Sequence, residues 1–369
     1  MSTCIRSVTD RDRREQGFYG YALDANPDWL RYPSLRRYFM TTTSIKSPHE
    51  DNGSRDEQRR YPDTYYYSGT PATMFSLPYR ENSAGLDVCF VGLPFDFRGT
   101  RMPGSRLGPR MIRAQSGVRR NFNHITGAAP FDTLSVADCG DVIFPYPYDI
   151  DKMTTLIRQR IASLISTGCK VIAMGGEHTV TYPVLQAVKE KYGPVGLIHV
   201  DAHDDAELRP FLFHGSPFSY AGREGCFDHS RTIQIGLHAG GDLSQEDWSY
   251  SRKHGMRIVP VQDCWYRSMK PLMAEVREMM GDHPVYLSFD IDAIDPGFAP
   301  GTGTPETGGL LPMQAMEIIQ GCQGLNLIGC DLVEVSPPLD VGDMTTILAS
   351  NLLFEMLCVF PGVNNQGLP

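Results

Sequence analysis

Short apolar runs alternate with longer segments of helical spacing from about residue 87 to the end of the chain. Runs of β-branched and other apolar residues predict strands, whereas apolar residues that recur every three or four positions predict helices. The predicted strands are 87–93, 170–175, 195–201, 231–236, 257–261, 284–290 and 325–335. The predicted helices are 151–168, 179–192, 269–280, 312–322 and 344–358.

This alternation indicates the fold class. Strands that alternate with helices are typical of a parallel sheet covered by helices, because parallel strands need long crossover connections. We therefore expect an α/β domain of three layers, α/β/α, with a mostly parallel central sheet, over residues 86–369.

Residues 1–85 differ in texture from the rest of the chain. The stretch DNGSRDEQRRYPDTYYYSG is polar, contains Gly and Pro, and keeps neither helical nor strand periodicity for long. Aromatic residues such as Trp29, Phe39 and Tyr65 supply apolar area that a disordered tail does not need. We therefore expect an N-terminal extension that packs on the main domain or on a neighbouring subunit, and a partly disordered tail is the alternative.

Composition and charge narrow the class of protein. Of 369 residues, 41% are hydrophobic and 21% charged, as in ordinary globular proteins. With 34 basic and 43 acidic side chains the net charge is −9, which is the wrong sign for a protein that neutralises nucleic-acid phosphates. We expect no nucleic-acid partner, whereas a small cationic ligand is compatible with this charge.

The nine cysteines are scattered and include no Cys-x-x-Cys pair. Several lie in apolar runs, where a free thiol behaves as a small hydrophobic group, so we expect a reducing compartment and no disulfide framework. The N-terminal residues lack the apolar core of a signal peptide, and no run is long enough for a membrane span. The sequence therefore predicts a cytoplasmic protein without a membrane partner.

Acidic and histidine side chains follow three of the predicted strands. His178 comes after strand 170–175, Asp201, His203 and Asp205 come at the end of strand 195–201, and Asp290 and Asp292 come at the end of strand 284–290. Ligands of parallel sheets bind at this edge. Alternate residues of an extended chain share one side, so Asp-x-His-x-Asp is expected to present all three groups to one point.

These side chains predict a metal site. Four carboxylates gathered at one place repel one another unless cations neutralise them, and two divalent ions do so. No thiolate lies in these segments, and mixed oxygen and imidazole ligands suit Mn²⁺, Ni²⁺ or Co²⁺. Two such ions can share a bridging hydroxide near neutral pH, which indicates hydrolysis.

The same segments resemble a known family. The motifs GGEHT, HVDAHDD and SFDIDAIDPGFAPGTGTPETGG are similar to the three metal-binding signatures of the ureohydrolases, the arginase and agmatinase family. Supporting matches are GLPFDFRGTRMPGSRLGPRMIR, DCGD, FHGSPF and DLVEVSPPLD. The resemblance implies an arginase-like fold, a centre of two manganese or nickel ions, and hydrolysis of a guanidino group to urea and an amine.

The resemblance also implies roles for individual residues. The implied metal ligands are His178, Asp201, His203, Asp205, Asp290 and Asp292. Glu334 matches the acidic residue that binds the guanidinium group, and His214 matches the histidine that transfers protons at the mouth of the site. His214 and Asp205 are the expected catalytic residues, and His214 also contacts the substrate.

Departures from the better-known members bear on the substrate. Phe211, Leu212 and Phe213 stand where arginases carry a polar segment, and Leu237 and His238 replace an Arg usual in agmatinases. Apolar groups beside the site suit a small or alkylated guanidine. The sequence therefore favours guanidine, an N-alkyl guanidine or a biguanide such as metformin, with agmatine or guanidinobutyrate as the alternative.

Two other functional classes stay open. The chain could be a non-catalytic partner subunit of a hetero-oligomeric ureohydrolase, or a protein that senses small cations. The complete set of expected ligands, together with His214 and Glu334, favours catalysis. The family resemblance implies a homo-oligomer, a trimer or hexamer, or a hetero-oligomer with a related subunit.

Overall fold

The computed structural model describes residues 72–117, 121–239 and 248–364, and every structural statement below refers to them. The predicted extension lies outside the described residues up to position 71. Within the described part, eight strands form one sheet. They are β1 (Val88–Leu93), β2 (Val136–Asp141), β3 (Lys170–Gly175), β4 (Val195–Val200), β5 (Phe227–Leu237), β6 (Arg257–Pro260), β7 (Pro284–Asp290) and β8 (Asn326–Val333).

Helices connect these strands. In the described ranges they are α1 (Gly108–Gln115), α2 (Pro130–Thr133), α3 (Ile150–Ser166), α4 (Thr181–Tyr192), α5 (Pro217–Arg223), α6 (Ser249–Lys253), α7 (Val261–Cys264), α8 (Lys270–Met280), α9 (Pro312–Gln320) and α10 (Met344–Cys358). No helix of the described residues is long and apolar enough to cross a membrane.

The sheet is parallel and covered on both faces, as predicted. Its order is β2-β1-β3-β8-β7-β4-β5-β6, and every neighbouring pair is parallel. Side chains of β4 alternate between two cores, because Ile198 belongs to the core that contains α8, α9 and α10. Leu197 belongs to the other core, with α3, α4 and α5. Helices, sheet and helices therefore make the three expected layers.

All seven predicted strands are present, but the pattern missed β2. This strand reads VADCGD, and its buried Asp138 and its glycine interrupt the apolar run on which the prediction depended. Arg113 of α1 compensates the buried charge, because its Nε lies 2.7 Å from Asp138 Oδ2. The strand was missed because its buried charge is neutralised by an arginine from another part of the sequence, and such a pair leaves no local hydrophobic pattern.

The end of the predicted extension that the structure describes belongs to the core. Met74, Phe75 and Leu77 are buried, and the Phe75 ring lies edge-on to Phe90 with centroids 5.6 Å apart. The Met74 backbone N–H donates to Asp138 Oδ2 at 2.7 Å. Apolar burial and a hydrogen bond to β2 thus attach this segment to the α/β domain.

The topology gathers four strand ends at the centre of the sheet. Strands β3, β8, β7 and β4 are consecutive neighbours, and all run in the same direction. His178 lies three residues after β3, Glu334 and Asp201 directly follow β8 and β4, and Asp290 is the last residue of β7. The sheet order therefore places the predicted site residues at one edge of the fold.

Candidate functional site

Four side chains from three strand ends make a first ligand group. The Nδ1 atom of His178 lies 3.1 Å from Asp201 Oδ2, 2.9 Å from Asp205 Oδ2 and 3.2 Å from Asp290 Oδ2. All four residues are buried. Their nearest ligand atoms all lie within 4.8 Å of one another, which is close enough to share one ion.

Asp201, His203 and Asp292 make a second ligand group beside the first. His203 Nδ1 lies 3.1 Å from Asp292 Oδ2 and 3.5 Å from Asp201 Oδ1. Asp201 belongs to both groups, with one oxygen turned to each. The structure therefore brings all six predicted side chains together as two adjacent groups that share one carboxylate.

The extended Asp-x-His-x-Asp arrangement expected from the sequence is wrong. Strand β4 ends at Val200, and Asp201 Oδ1 accepts the backbone N–H of His203 at 2.7 Å, which turns the chain. Asp205 has a φ of 43°, in the left-handed region. The three side chains consequently divide between the two groups, because the backbone curls around the site.

The same division separates Asp290 from Asp292. Asp290 Oδ1 accepts the Asp292 N–H at 2.9 Å, and residues Ile291–Ala293 form a 3-10 turn directly after β7. Asp290 therefore joins the first group and Asp292 the second. A carboxylate that caps the turn after a strand sends the next carboxylate to a neighbouring position.

The tautomer of His178 supports the binding of a cation by the first group. Ser288 Oγ donates to Asp331 Oδ1 at 2.7 Å, so it accepts the proton of His178 Nε2 at 2.9 Å. A neutral His178 ring then turns its Nδ1 lone pair towards three carboxylates, and this buried atom has no hydrogen-bond partner. The donor set thus fits a divalent ion with mixed imidazole and oxygen ligands.

The raised pKa values of His178 and Asp290 also indicate that positive charge stabilises the first group. Burial lowers the pKa of His178, but the carboxylates of Asp201, Asp205 and Asp290 that face its Nδ1 outweigh burial and raise this pKa well above its usual range. Burial, with the charges of Asp292 and Asp201, raises the pKa of Asp290 well above its usual range. Divalent ions remove this repulsion between carboxylates.

His199 is a neighbour of the site that the sequence reasoning missed. Its Nδ1 accepts from Gln234 Nε2 at 3.1 Å, so its Nε2 carries the proton and donates to Asp201 Oδ2 at 2.7 Å. His199 therefore orients the carboxylate that both groups share. Its position two residues before Asp201 on β4 was the available signal.

Glu334 and His214 face each other beside the first group. Glu334 follows β8 with a φ of 64°, and its Oε1 accepts the backbone N–H of His178 at 3.0 Å. His214 Nδ1 lies 3.3 Å from the same Oε1. The Thr100 N–H donates to His214 Nε2 at 3.2 Å, so a neutral His214 ring carries its proton on Nδ1, towards Glu334.

Glu177 is a second residue that the sequence reasoning did not single out. Burial, and after it the charge of Glu334, raises its pKa well above the usual range. Both of its oxygens accept the backbone N–H of Arg98 at 3.1 Å. Gly176 allows this approach, because a Cβ there would lie 1.9 Å from the Phe95 carbonyl oxygen. The GGEHT motif was the available signal.

Two of the three apolar residues expected beside the site, Phe211 and Leu212, lie elsewhere. A small cleft next to Glu334, here called the Glu334 cleft, has polar residues in its lining, among them Glu177, Arg101, His214 and Thr304. Phe211 and Leu212 line a different cavity of about 410 Å³. Phe213 is only 8% exposed, and its ring lies edge-on to that of His214 with centroids 5.7 Å apart. Phe211 and Leu212 therefore give no support to an alkylated substrate, whereas Phe213 does lie beside a predicted site residue.

His238 also has a structural explanation. Its Nδ1 lies 2.6 Å from the Gly236 carbonyl oxygen, and its Nε2 lies 3.2 Å from the Glu306 carbonyl oxygen. The ring is thus held between two backbone segments after β5. It does not line the Glu334 cleft.

Comparisons with known proteins agree with this fold. The model of the arginase family matches residues 86–358. The chain is 51% identical over 297 residues to "Agmatinase, mitochondrial" of Gallus gallus, across 80% of this chain and 87% of that protein. It is 52% identical over 301 residues to the guanidinobutyrase of Pseudomonas aeruginosa, across 80% of this chain and 94% of that protein.

A solved structure shows the same architecture. The proclavaminate amidino hydrolase from Streptomyces clavuligerus aligns with a TM-score of 0.76 and 33% sequence identity. The alignment covers 80% of this chain and 98% of that one. With the family match, the two relatives at about half identity and the clustered Asp and His side chains, these findings show that the chain belongs to the arginase family.

Proposed function

We propose that this protein is a hydrolase with two divalent metal ions that converts a linear guanidino compound and water into urea and an amine. One observation carries the proposal. The two ligand groups share Asp201, and the Glu334–His214 pair lies at their edge with 3.3 Å between the carboxylate oxygen and the imidazole nitrogen. This arrangement brings together a candidate metal site, an anion for a guanidinium group and a proton carrier, because Glu334 also accepts the backbone N–H of His178.

The proposed ligands divide as the geometry does. His178, Asp205 and Asp290 would hold one ion, His203 and Asp292 the other, and Asp201 both. When bound, the ions would lower the pKa of water and so supply a nucleophile near neutral pH. Imidazole and carboxylate donors suit Mn²⁺ or Ni²⁺, which are the metals we propose.

Glu334 is the proposed binding group for the guanidinium. Its carboxylate is 5% exposed and is held by the His178 N–H, so it presents a fixed anion to the cleft. A planar guanidinium can donate two parallel hydrogen bonds to a carboxylate. The central carbon of the substrate would thereby face the two ligand groups.

His214 is the proposed proton donor to the leaving amine. In the reaction a C–O bond forms, one C–N bond of the guanidinium breaks, and the departing nitrogen takes a proton. The proton on His214 Nδ1 points towards Glu334, where the substrate nitrogens would lie. Asp205 is the second proposed catalytic residue, because its carboxylate lies in the first ligand group and can accept a proton from the attacking water.

The lining of the cleft bears on the substrate. Since polar and charged side chains surround Glu334, we propose a guanidino compound with a polar tail, such as 4-guanidinobutyrate or agmatine. The names of the two relatives, a guanidinobutyrase and an agmatinase, agree with this choice. Guanidine and metformin, which the sequence favoured, become the second candidates because Phe211 and Leu212 line a different cavity.

The test is a urea assay on the full chain loaded with Mn²⁺ or Ni²⁺. The panel is 4-guanidinobutyrate, agmatine, arginine, guanidine and metformin. We expect urea from a substrate with a polar tail and little or none from guanidine or metformin. A folded protein that holds two ions per chain and releases no urea from any compound would contradict the proposal and favour a non-catalytic partner subunit.

Assembly and location are further proposals. We expect a trimer or hexamer of this chain, which light scattering of the purified protein measures. The predicted cytoplasmic location has to be tested in cells, because a relative at 51% identity is named as mitochondrial.

A further inference from the structure

We propose that Arg101 binds a carboxylate at the end of the substrate opposite the guanidinium group, so that the substrate class is an ω-guanidino acid. This inference rests on the proposed function and deepens it. It concerns the tail of the substrate, whereas the two ligand groups, Glu334 and His214 concern its reacting end.

Arg101 is held beside the Glu334 cleft by its own loop. On one side, Thr100 contacts His214 Nε2 through its backbone nitrogen at 3.2 Å and its hydroxyl at 2.8 Å. On the other side, the Gly104 N–H donates to Asp96 Oδ2 at 2.7 Å. Both anchors flank Arg101, which lines the same cleft as Glu334. The backbone from which Arg101 projects is therefore fixed against the site.

The guanidinium of Arg101 is available for a ligand. Arg101 is exposed, and among the residues that the structure describes it has neither a hydrogen bond nor an ion-pair partner. Arg106, from the same stretch of chain, does have partners in the protein. It pairs with Asp96 at 3.0 Å and stacks over the Phe97 ring at 5.1 Å. Arg106 thus stabilises the loop, whereas Arg101 lines the cleft and has no anionic partner among the described residues.

Charge selects among the possible tails. Glu177, Glu334, His214, Asp96 and Arg101 are the charged or titratable residues that line the cleft, and Arg106 already neutralises Asp96. A guanidinium bound to Glu334 leaves Arg101 as the free cation. An ammonium tail is repelled by this cation, a methyl tail gains nothing from it, and a carboxylate tail forms a charge-assisted pair with it.

The experiment compares three substrates that differ only at the tail: 4-guanidinobutyrate, agmatine and butylguanidine, with the metal-loaded full chain. In R101A we expect the KM for 4-guanidinobutyrate to rise about 10- to 100-fold with little change in kcat, because one charged hydrogen-bonded pair is lost. The constants for butylguanidine should not change. R101E should reverse the preference in favour of agmatine, and R101K should retain part of the wild-type preference.

R110A is the matched control. Arg110 is an exposed arginine of α1, without a hydrogen bond or ion pair to the described part of the chain, and it does not line the cleft. The R110A variant loses the same charge as R101A, so its KM values for the three substrates should equal those of the wild type. Circular dichroism and melting temperature check that the Arg101 variants fold.

Two results would overturn the inference and leave the proposed function intact. One is a wild-type kcat/KM that is higher for agmatine than for 4-guanidinobutyrate. The other is an unchanged KM for 4-guanidinobutyrate in R101A. The absence of urea from all three substrates, with both ions bound, would instead overturn the proposed function.

Discussion

At the scale of single residues, the site depends on how each charge is balanced by its neighbours. His178 faces three carboxylates with one ring nitrogen and is fixed through the other by Ser288. Asp201 turns one oxygen to each ligand group, and its Oδ2 also accepts a hydrogen bond from His199. A change at one of these residues should therefore alter the charge balance of a defined group.

Replacing Asp292 tests the division into two groups. In D292A the second group loses a carboxylate, whereas the first keeps all of its side chains. We expect the bound metal to fall from two ions per chain towards one and urea production to be lost. Metal content by mass spectrometry after gel filtration measures this. The control is D282A, which removes an exposed aspartate in the turn before β7. Two bound ions per chain in D292A would show that Asp292 is not a ligand.

The pKa of His214 tests its contact with Glu334. Burial lowers this pKa, but the Glu334 carboxylate outweighs burial and raises it to about 9. A raised pKa means that the cation is favoured, so neutralising Glu334 must lower it. We expect E334Q to bring the His214 titration in metal-free protein to a clearly lower pH, measured by NMR of labelled histidine rings. An unchanged titration would mean that the pair does not form in solution.

At the scale of elements, the loops after the strands form the site. Polar contacts fix in place a strand that has few consecutive apolar residues. Strand β2 is the example, because Asp138 is buried in it and paired with Arg113 of α1. The same carboxylate accepts the N–H of Met74. One buried ion pair therefore connects a strand, a helix and the segment before β1.

Removing Arg113 should destabilise this part of the sheet. R113L leaves Asp138 buried without its cation, which costs about 3–5 kcal/mol for a buried pair. We expect that loss in the free energy of unfolding, measured with urea at constant metal. R110A on the same helix should change stability by less than about 0.5 kcal/mol, as at other surface positions. Equal stabilities of R113L and R110A would contradict the structural role of the pair.

At the scale of the whole molecule, the order of the strands brings the candidate metal ligands together. Strands β3, β8, β7 and β4 are far apart in sequence and adjacent in the sheet, so the site exists only in the folded chain. Burial in that chain also raises the pKa of Asp292 to about 6, with the charge of Asp201 as the next cause. Divalent ions should therefore stabilise the native state, since the unfolded chain offers no such site.

Chelation tests this coupling. Removing the metals should lower the melting temperature by about 5–10 °C, and adding Mn²⁺ or Ni²⁺ should restore it. Differential scanning calorimetry of D282A should show the same shift, and D292A a smaller one. A melting temperature that is independent of metal, with removal verified by elemental analysis, would contradict the proposed sites.

Some of this protein was determined by the sequence alone. Periodic apolar runs identified seven strands and the parallel three-layer fold, because burial on both faces of a sheet requires such runs. The residue types at the ends of those strands indicated the candidate ligands, and the family resemblance indicated Glu334 and His214. These features could be predicted because each of them depends on only a few consecutive residues.

Only the tertiary structure decided how these residues combine. It assigned Asp205 to one ligand group and His203 to the other, since local turns, not strand periodicity, direct their side chains. It showed that Glu177 and His199 are neighbours of the site. It also placed Phe211 in a different cavity and Arg101 in the lining of the Glu334 cleft. These outcomes depend on contacts between segments that are distant in the chain, and hydrophobic pattern and residue spacing carry no record of such contacts.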